Sequence, residues 1–145
     1  MEEMRSLGVQ VSRKTRSSST SIQLGGVSLP LSSFVGEEVV ARLPAPAKAQ
    51  LVFTRESAVS RVSKLLWPEL VLGDAEVDDL VVARTTTEAE TRAVMSDPAA
   101  RGFVLDVIAG GGTVTIAGDL VTAMIPEGSG VGDDAFAAFV RAVLA

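Results

Sequence analysis

Apolar residues recur along this chain in two rhythms, alternation in the first half and helical spacing in much of the second. Leu7, Val9 and Val11 alternate through residues 7–13, as expected of a strand with one buried face. Residues 21–29 hold spaced aliphatics broken by Gly25-Gly26, and residues 37–43 set Val39, Ala41 and Leu43 on one side. Pro44-Ala45-Pro46 stops that strand, because proline cannot donate to a ladder. Residues 50–54 resume the alternation with Leu51 and Phe53. Between Val59 and Trp67 the pattern fits a helix period weakly, and Pro68 closes it.

The second half is better punctuated. Residues 80–84 form a short apolar strand, and Thr87 is placed to cap a helix running to about Met95. Asp97-Pro98 opens another helix, with aspartate at the cap and proline where its missing N–H costs nothing. Ala100, Phe103, Val104, Val107 and Ile108 follow at i, i+3, i+4, i+7 and i+8, the spacing of one buried helical face. Gly110 is the expected left-handed residue after it. Residues 113–117 and 120–125 read as a hairpin around Gly118-Asp119, and a last helix from about Asp133 repeats the apolar stripe at Phe136, Phe139, Val140, Val143 and Leu144. The expected fold is a single α+β domain over 1–145. It has a mostly antiparallel sheet, a C-terminal βααββα unit, and helices near 87–96, 97–109 and 133–144 packed on one face. Residues 12–20, rich in Ser, Thr, Arg and Lys, are expected to be loose.

Composition supports a folded, metal-independent core. A chain of 145 residues that is 47% hydrophobic and 21% charged can stock one ordinary domain. There is no cysteine, which excludes disulfides, thiol catalysis and zinc–thiolate sites. No apolar run approaches the roughly 18–20 residues of a membrane span. Glu2 and Glu3 stand where a signal peptide wants basic residues.

Charge is unevenly distributed. Residues 1–64 hold nine Lys/Arg against five Asp/Glu, and residues 65–145 hold four against thirteen, giving a net −5. An acidic whole argues against nucleic acid as a partner, since phosphate neutralisation needs a basic surface. The basic run Arg13, Lys14, Arg16 reads most simply as solvated, the alternatives being contact with an anionic lipid surface or with the acidic half of a second copy.

Candidate chemistry is sparse. With no His, Cys or Tyr, the usual proton shuttle and thiol nucleophile are missing and a Ser–His triad cannot be built. No catalytic residues and no cofactor are implied. Asp74, Glu76 and Asp78, if extended, share a face and offer hard oxygen ligands to Mg²⁺ or Ca²⁺, although the glycine and distant glutamate of a calcium loop are absent. A charged loop or protected edge strand explains the same residues. Gly110-Gly111-Gly112 lies after a helix and before a strand, the reverse of a phosphate loop. Gly128-Ser129-Gly130-Val131-Gly132 has the right order, but Asp133 and Asp134 follow it and repel anions. Leu65-Leu66-Trp67 is either a core anchor or, if exposed, an interaction patch.

Several of these segments together carry a resemblance. Gly73-Asp74-Ala75-Glu76-Val77-Asp78, the strand at 80–84, Glu88-Ala89-Glu90, Ala93-Val94-Met95, Ser96-Asp97-Pro98, and a hairpin followed by Asp133-Asp134 occur in that order. Residues 34–145, with Phe34-Val35-Gly36 as lead-in, resemble bacterial proteins of unknown function whose small α+β domain often follows a membrane-spanning segment. This chain has Val77 and Val81 where those proteins have phenylalanines. The absence of Asn and Tyr, with only three Lys, fits a GC-rich bacterial coding bias. The resemblance implies an architecture and a place at the cytoplasmic face of a membrane, and no site residues. The expected function is a non-catalytic interaction or regulatory module with a protein partner or self-association. The alternative is a small-ligand or divalent-cation domain using residues 74–79, and a carboxylate-dependent enzyme ranks last.

Overall fold

Alternating residues dictate a sheet with one apolar face, and the computed structural model shows how that face is covered. It describes residues 2–24, 27–55, 69–73 and 75–145. The described elements run α1 (Glu2–Ser6), β1 (Gln10–Leu24), β2 (Val27–Arg42), β3 (Leu51–Arg55), β4 (Glu69–Leu70) and α2 (Ala75–Leu80). There follow β5 (Val81–Thr85), α3 (Glu88–Ser96), α4 (Pro98–Ala109), β6 (Thr113–Ala117), β7 (Leu120–Pro126) and α5 (Asp133–Leu144). The strands form one seven-stranded sheet in the order β1-β2-β7-β6-β3-β5-β4, and every neighbouring pair is antiparallel.

Register explains the core. Leu70, Ala83, Phe53, Val114, Ala123 and Val39 form one row of direct partners from β4 to β2. All of them are buried, as is the parallel row Thr85, Leu51, Ile116, Val121 and Ala41. Residues between these rows, such as Val52, Thr115 and Thr122, are only half-buried, so the helices cover one side of the sheet. Helix α4 packs on β3, β6 and β7, with α5, α3 and α2 against it. Its five stripe residues are all buried. Phe103 sits with its ring centroid 5.0 Å from Phe139 and 5.9 Å from Phe136. Tilted aromatic contacts at these distances bind α4 to α5 beyond the burial of their area.

Local signals explain the joints. Asp97 accepts hydrogen bonds from the amides of Ala99 (2.9 Å) and Ala100 (3.2 Å), with Pro98 at the first helical position. The β6–β7 connection is a two-residue turn in which Gly118 alone has positive φ, +62°, as a type II′ turn requires.

Four expectations need correction. Residues 12–20 are strand, because β2 supplies a ladder whose main-chain bonds leave no trace in a Ser- and Arg-rich sequence. Residues 75–80 are helical, so Glu76 and Asp78 lie about 200° apart around the axis and do not share a face. Thr87 stands at the start of α3 but makes no side-chain cap, since its hydroxyl is turned to Gln50. The left-handed residue after α4 is Gly111 (φ +94°), while Gly110 keeps helical geometry.

Candidate functional site

The feature that sets this sheet apart is its first strand. β2 pairs with β7 only from Gly36 to Arg42, whereas β1 and β2 pair over their whole lengths. Beyond the end of β7, Ser17–Leu24 and Val27–Phe34 therefore continue as a two-stranded ribbon with no third strand among the described residues. Eight residues of strand reach about 26 Å. The Glu127 amide, which donates to the Val35 carbonyl at 2.8 Å, marks the ribbon's root. Cross-strand register pairs Ile22 with Leu29 and Leu24 with Val27, which places the apolar positions near the tip on one face.

The basic run lies at the root of this ribbon. Arg13 is the β1 partner of Val39, so it sits at the end of the buried row on the helix side of the sheet. There it forms an ion pair with Asp133 in the first turn of α5, and its second guanidinium nitrogen lies 3.6 Å from Glu37. Lys14 stands opposite Glu38 and Arg16 opposite Gly36. The positive first part of the chain thus meets its acidic second part within one copy, at least through Arg13. Leu65, Leu66 and Trp67, the expected apolar patch or core anchor, lie outside the described residues.

The acidic segment is occupied by structural work. Glu76 accepts from Arg101 at 3.1 Å. Both oxygens of Asp78 accept backbone amides, from Leu72 and Gly73, each at 2.9 Å. Asp74 lies outside the described residues. Among the described residues no cluster of three or more acids could hold a metal ion. Arg92, near this segment, donates to the carbonyls of Val71 (2.8 Å) and Leu72 (3.2 Å) and to Glu88 (3.2 Å). These bonds pin the β4–α2 link onto α3.

A surface cavity of about 360 Å³ opens beside the glycine-rich loop, lined by Thr15, Val35, Glu37, Glu127, Ser129 and Val131 among others. Two carboxylates in its wall make it a poor setting for an anion. Asp133, at the head of α5, is already paired with Arg13.

One arrangement gave no clear sign in the sequence. Thr85 and Thr91 are buried, and their hydroxyl oxygens lie 2.8 Å apart. The Thr85 hydroxyl donates to the Gln50 carbonyl at 2.6 Å and accepts the Thr87 amide at 2.9 Å. The Thr87 hydroxyl in turn accepts the Gln50 amide at 2.8 Å. With its single proton committed to Gln50, Thr85 must accept from Thr91. This chain of hydroxyls joins β5, α3 and the residue before β3. No family model, curated protein or solved structure matches the chain. Its own geometry is therefore the ground for a functional reading, and no described helix is long and apolar enough to cross a membrane.

Proposed function

We propose that this chain is a non-catalytic interaction or regulatory module that works through its projecting ribbon. The single observation behind this reading is the stretch Ser17–Leu24 with Val27–Phe34, which extends past the sheet and leaves main-chain edges without partners among the described residues. Such edges are templates for pairing with another chain, and folded proteins usually shorten, charge or cover them. The Thr85 hydroxyl and the Glu76 and Asp78 carboxylates are engaged in holding elements together. The resemblance of residues 34–145 to bacterial proteins with a preceding membrane segment supports a place at the cytoplasmic face of a membrane. Under this reading the bacterial parent chain keeps the domain near the membrane surface while the ribbon meets a protein partner.

Site-specific photocrosslinking in cells tests the reading. A photoreactive residue at Gln23, in the ribbon, should give discrete protein adducts, while one at exposed Asp106 on α4 should not. Equal adduct patterns at the two positions, or none at Gln23, would overturn it.

A further inference from the structure

We propose that two copies of this chain join edge to edge, through antiparallel pairing of the Ser18–Leu24 stretch of β1 across a two-fold axis at Ser21. This rests on the reading of the ribbon as an interaction surface, and it names the partner as a second copy.

The main chain supplies the first argument. β1 is the terminal strand of the sheet and, among the described residues, pairs only with β2. Half of a strand's N–H and C=O groups serve each side, so a fifteen-residue edge strand presents a long outward row. The opposite edge, β4, is only two residues long. The free stretch of β2 in the ribbon, Val27–Phe34, is broken by Pro30 and by the register shift at Leu31, so among the described residues a joined pair has no second long uninterrupted edge through which to propagate. It closes as a dimer instead of growing into a fibre.

Charge supplies the second argument, and it selects the register. Arg13, Lys14 and Arg16 guard the first part of the edge, whereas residues 17–24 carry no charge and no proline. The register shift between Thr20 and Ser21 leaves the extra residue, Leu31, on β2, so the spacing along β1 is uninterrupted. A two-fold axis perpendicular to the sheet requires each residue to face one an even number of positions away, because partners share a face. Centring the axis on Lys14 would stack Lys14 on Lys14 within two basic runs, and like charges directly opposite destabilise a sheet. Centring it on Ser21 pairs Ser18 with Leu24, Ser19 with Gln23 and Thr20 with Ile22. Arg16 then falls beyond the overlap. An acidic strand from another protein is a poorer occupant, since Ser18–Leu24 offers no charge to recognise and Arg13, outside the overlap, is already held by Asp133 and Glu37.

Light scattering on the full chain tests the proposal. The wild type should show twice the chain mass of 15.0 kDa, and that mass should hold at both low and high salt because the seam is uncharged. Ser21→Lys and Ser21→Glu each set like charges against each other across the axis, and each should weaken the dimer by roughly tenfold or more. An equimolar mixture of the two variants should recover the dimer, since lysine then faces glutamate. Circular dichroism confirms that each variant is folded. If a variant is not, hydrogen exchange on the wild type decides: amides in Ser18–Leu24 should gain protection as concentration rises. A monomeric wild type, a dimer indifferent to both substitutions, or exchange at 18–24 independent of concentration overturns the inference. Crosslinks from Gln23 to a different protein alone would also overturn it while leaving the interaction reading intact.

Discussion

Gln50 and Gly118 exchange two hydrogen bonds: the Gly118 amide donates to Gln50 Oε1 at 2.8 Å, and Gln50 Nε2 donates to the Gly118 carbonyl at 3.1 Å. The same Nε2 also reaches the Ala47 carbonyl at 3.0 Å, while the Gln50 backbone bonds to Thr85 and Thr87. One residue thus fastens the β6–β7 turn and the β5–α3 junction to the start of β3. The loop itself adds bonds from the Leu43 amide to the Asp119 carbonyl (2.7 Å) and from the Ala47 amide to the Gly118 carbonyl (2.9 Å).

Gln50→Ala should therefore lower stability by about 1–3 kcal/mol, because it removes side-chain bonds on both sides of the turn. Urea unfolding measures this, with an unchanged slope showing that the fold itself persists. A loss within the error of the midpoint would mean that water replaces the amide freely.

The threonine chain predicts an order of effects. Thr91→Val keeps the shape of a fully buried side chain and removes one donor to Thr85, for a cost of about 1 kcal/mol. Thr85→Val leaves the Gln50 carbonyl, the Thr87 amide and the Thr91 hydroxyl short of a partner together, for about 2–3 kcal/mol. Equal losses in thermal unfolding would show that the hydroxyls do not act as a directed chain.

Gly111 and Gly112 should respond very differently to the same change. Gly111 has φ +94° with open space around it, so Gly111→Ala carries only the left-handed penalty of about 1–2 kcal/mol. A Cβ at Gly112 would collide with the Met124 carbonyl oxygen and with Val107 and Pro126. Gly112→Ala should cost more than about 3 kcal/mol, since a β7 backbone atom must move. Equilibrium denaturation of the two variants gives the comparison directly.

The degree to which each element was legible follows from what holds it. α4 and α5 are held by side-chain burial, which repeats in the sequence, so the spacing of Phe103, Val107, Phe136 and Phe139 by itself marks the core. The Gly118-Asp119 turn was legible because only a few residues adopt its backbone. β1 was legible only at its ends, in the alternation of residues 7–13 and the spaced aliphatics of 21–29; its middle was not, since the pairing there rests on main-chain bonds to β2, and Ser17, Ser18 and Ser19 show no alternation. The ribbon, the feature on which the functional reading stands, was hidden for that reason. The pairs Ile22–Leu29 and Leu24–Val27 around Gly25-Gly26 were the one available hint of a hairpin tip. Helix α2 was hidden by its brevity, since six residues hold too few apolar positions to establish a period. Met4, buried in the short α1, and the two-residue β4 leave no pattern in the sequence for the same reason.

Phe139 offers the sharpest test of the core. It is fully buried, meets the Phe103 ring in a tilted contact, and belongs to the stripe by which α5 meets α4. Phe139→Ala removes the ring's transfer energy, leaves a cavity that the neighbouring helix can only partly fill, and ends the aromatic contact. The expected loss is about 3–5 kcal/mol, which in a domain of this size lowers the melting temperature by roughly 6–20 °C. Leu144, on the same helix but 38% exposed, provides the control. Its truncation should cost less, about 1–2 kcal/mol, because more than a third of its surface stays in water and no enclosed cavity is left behind. Calorimetry on both variants measures the difference. A Phe139→Ala loss as small as that of Leu144→Ala would mean that this side of α5 is not packed against the domain in solution.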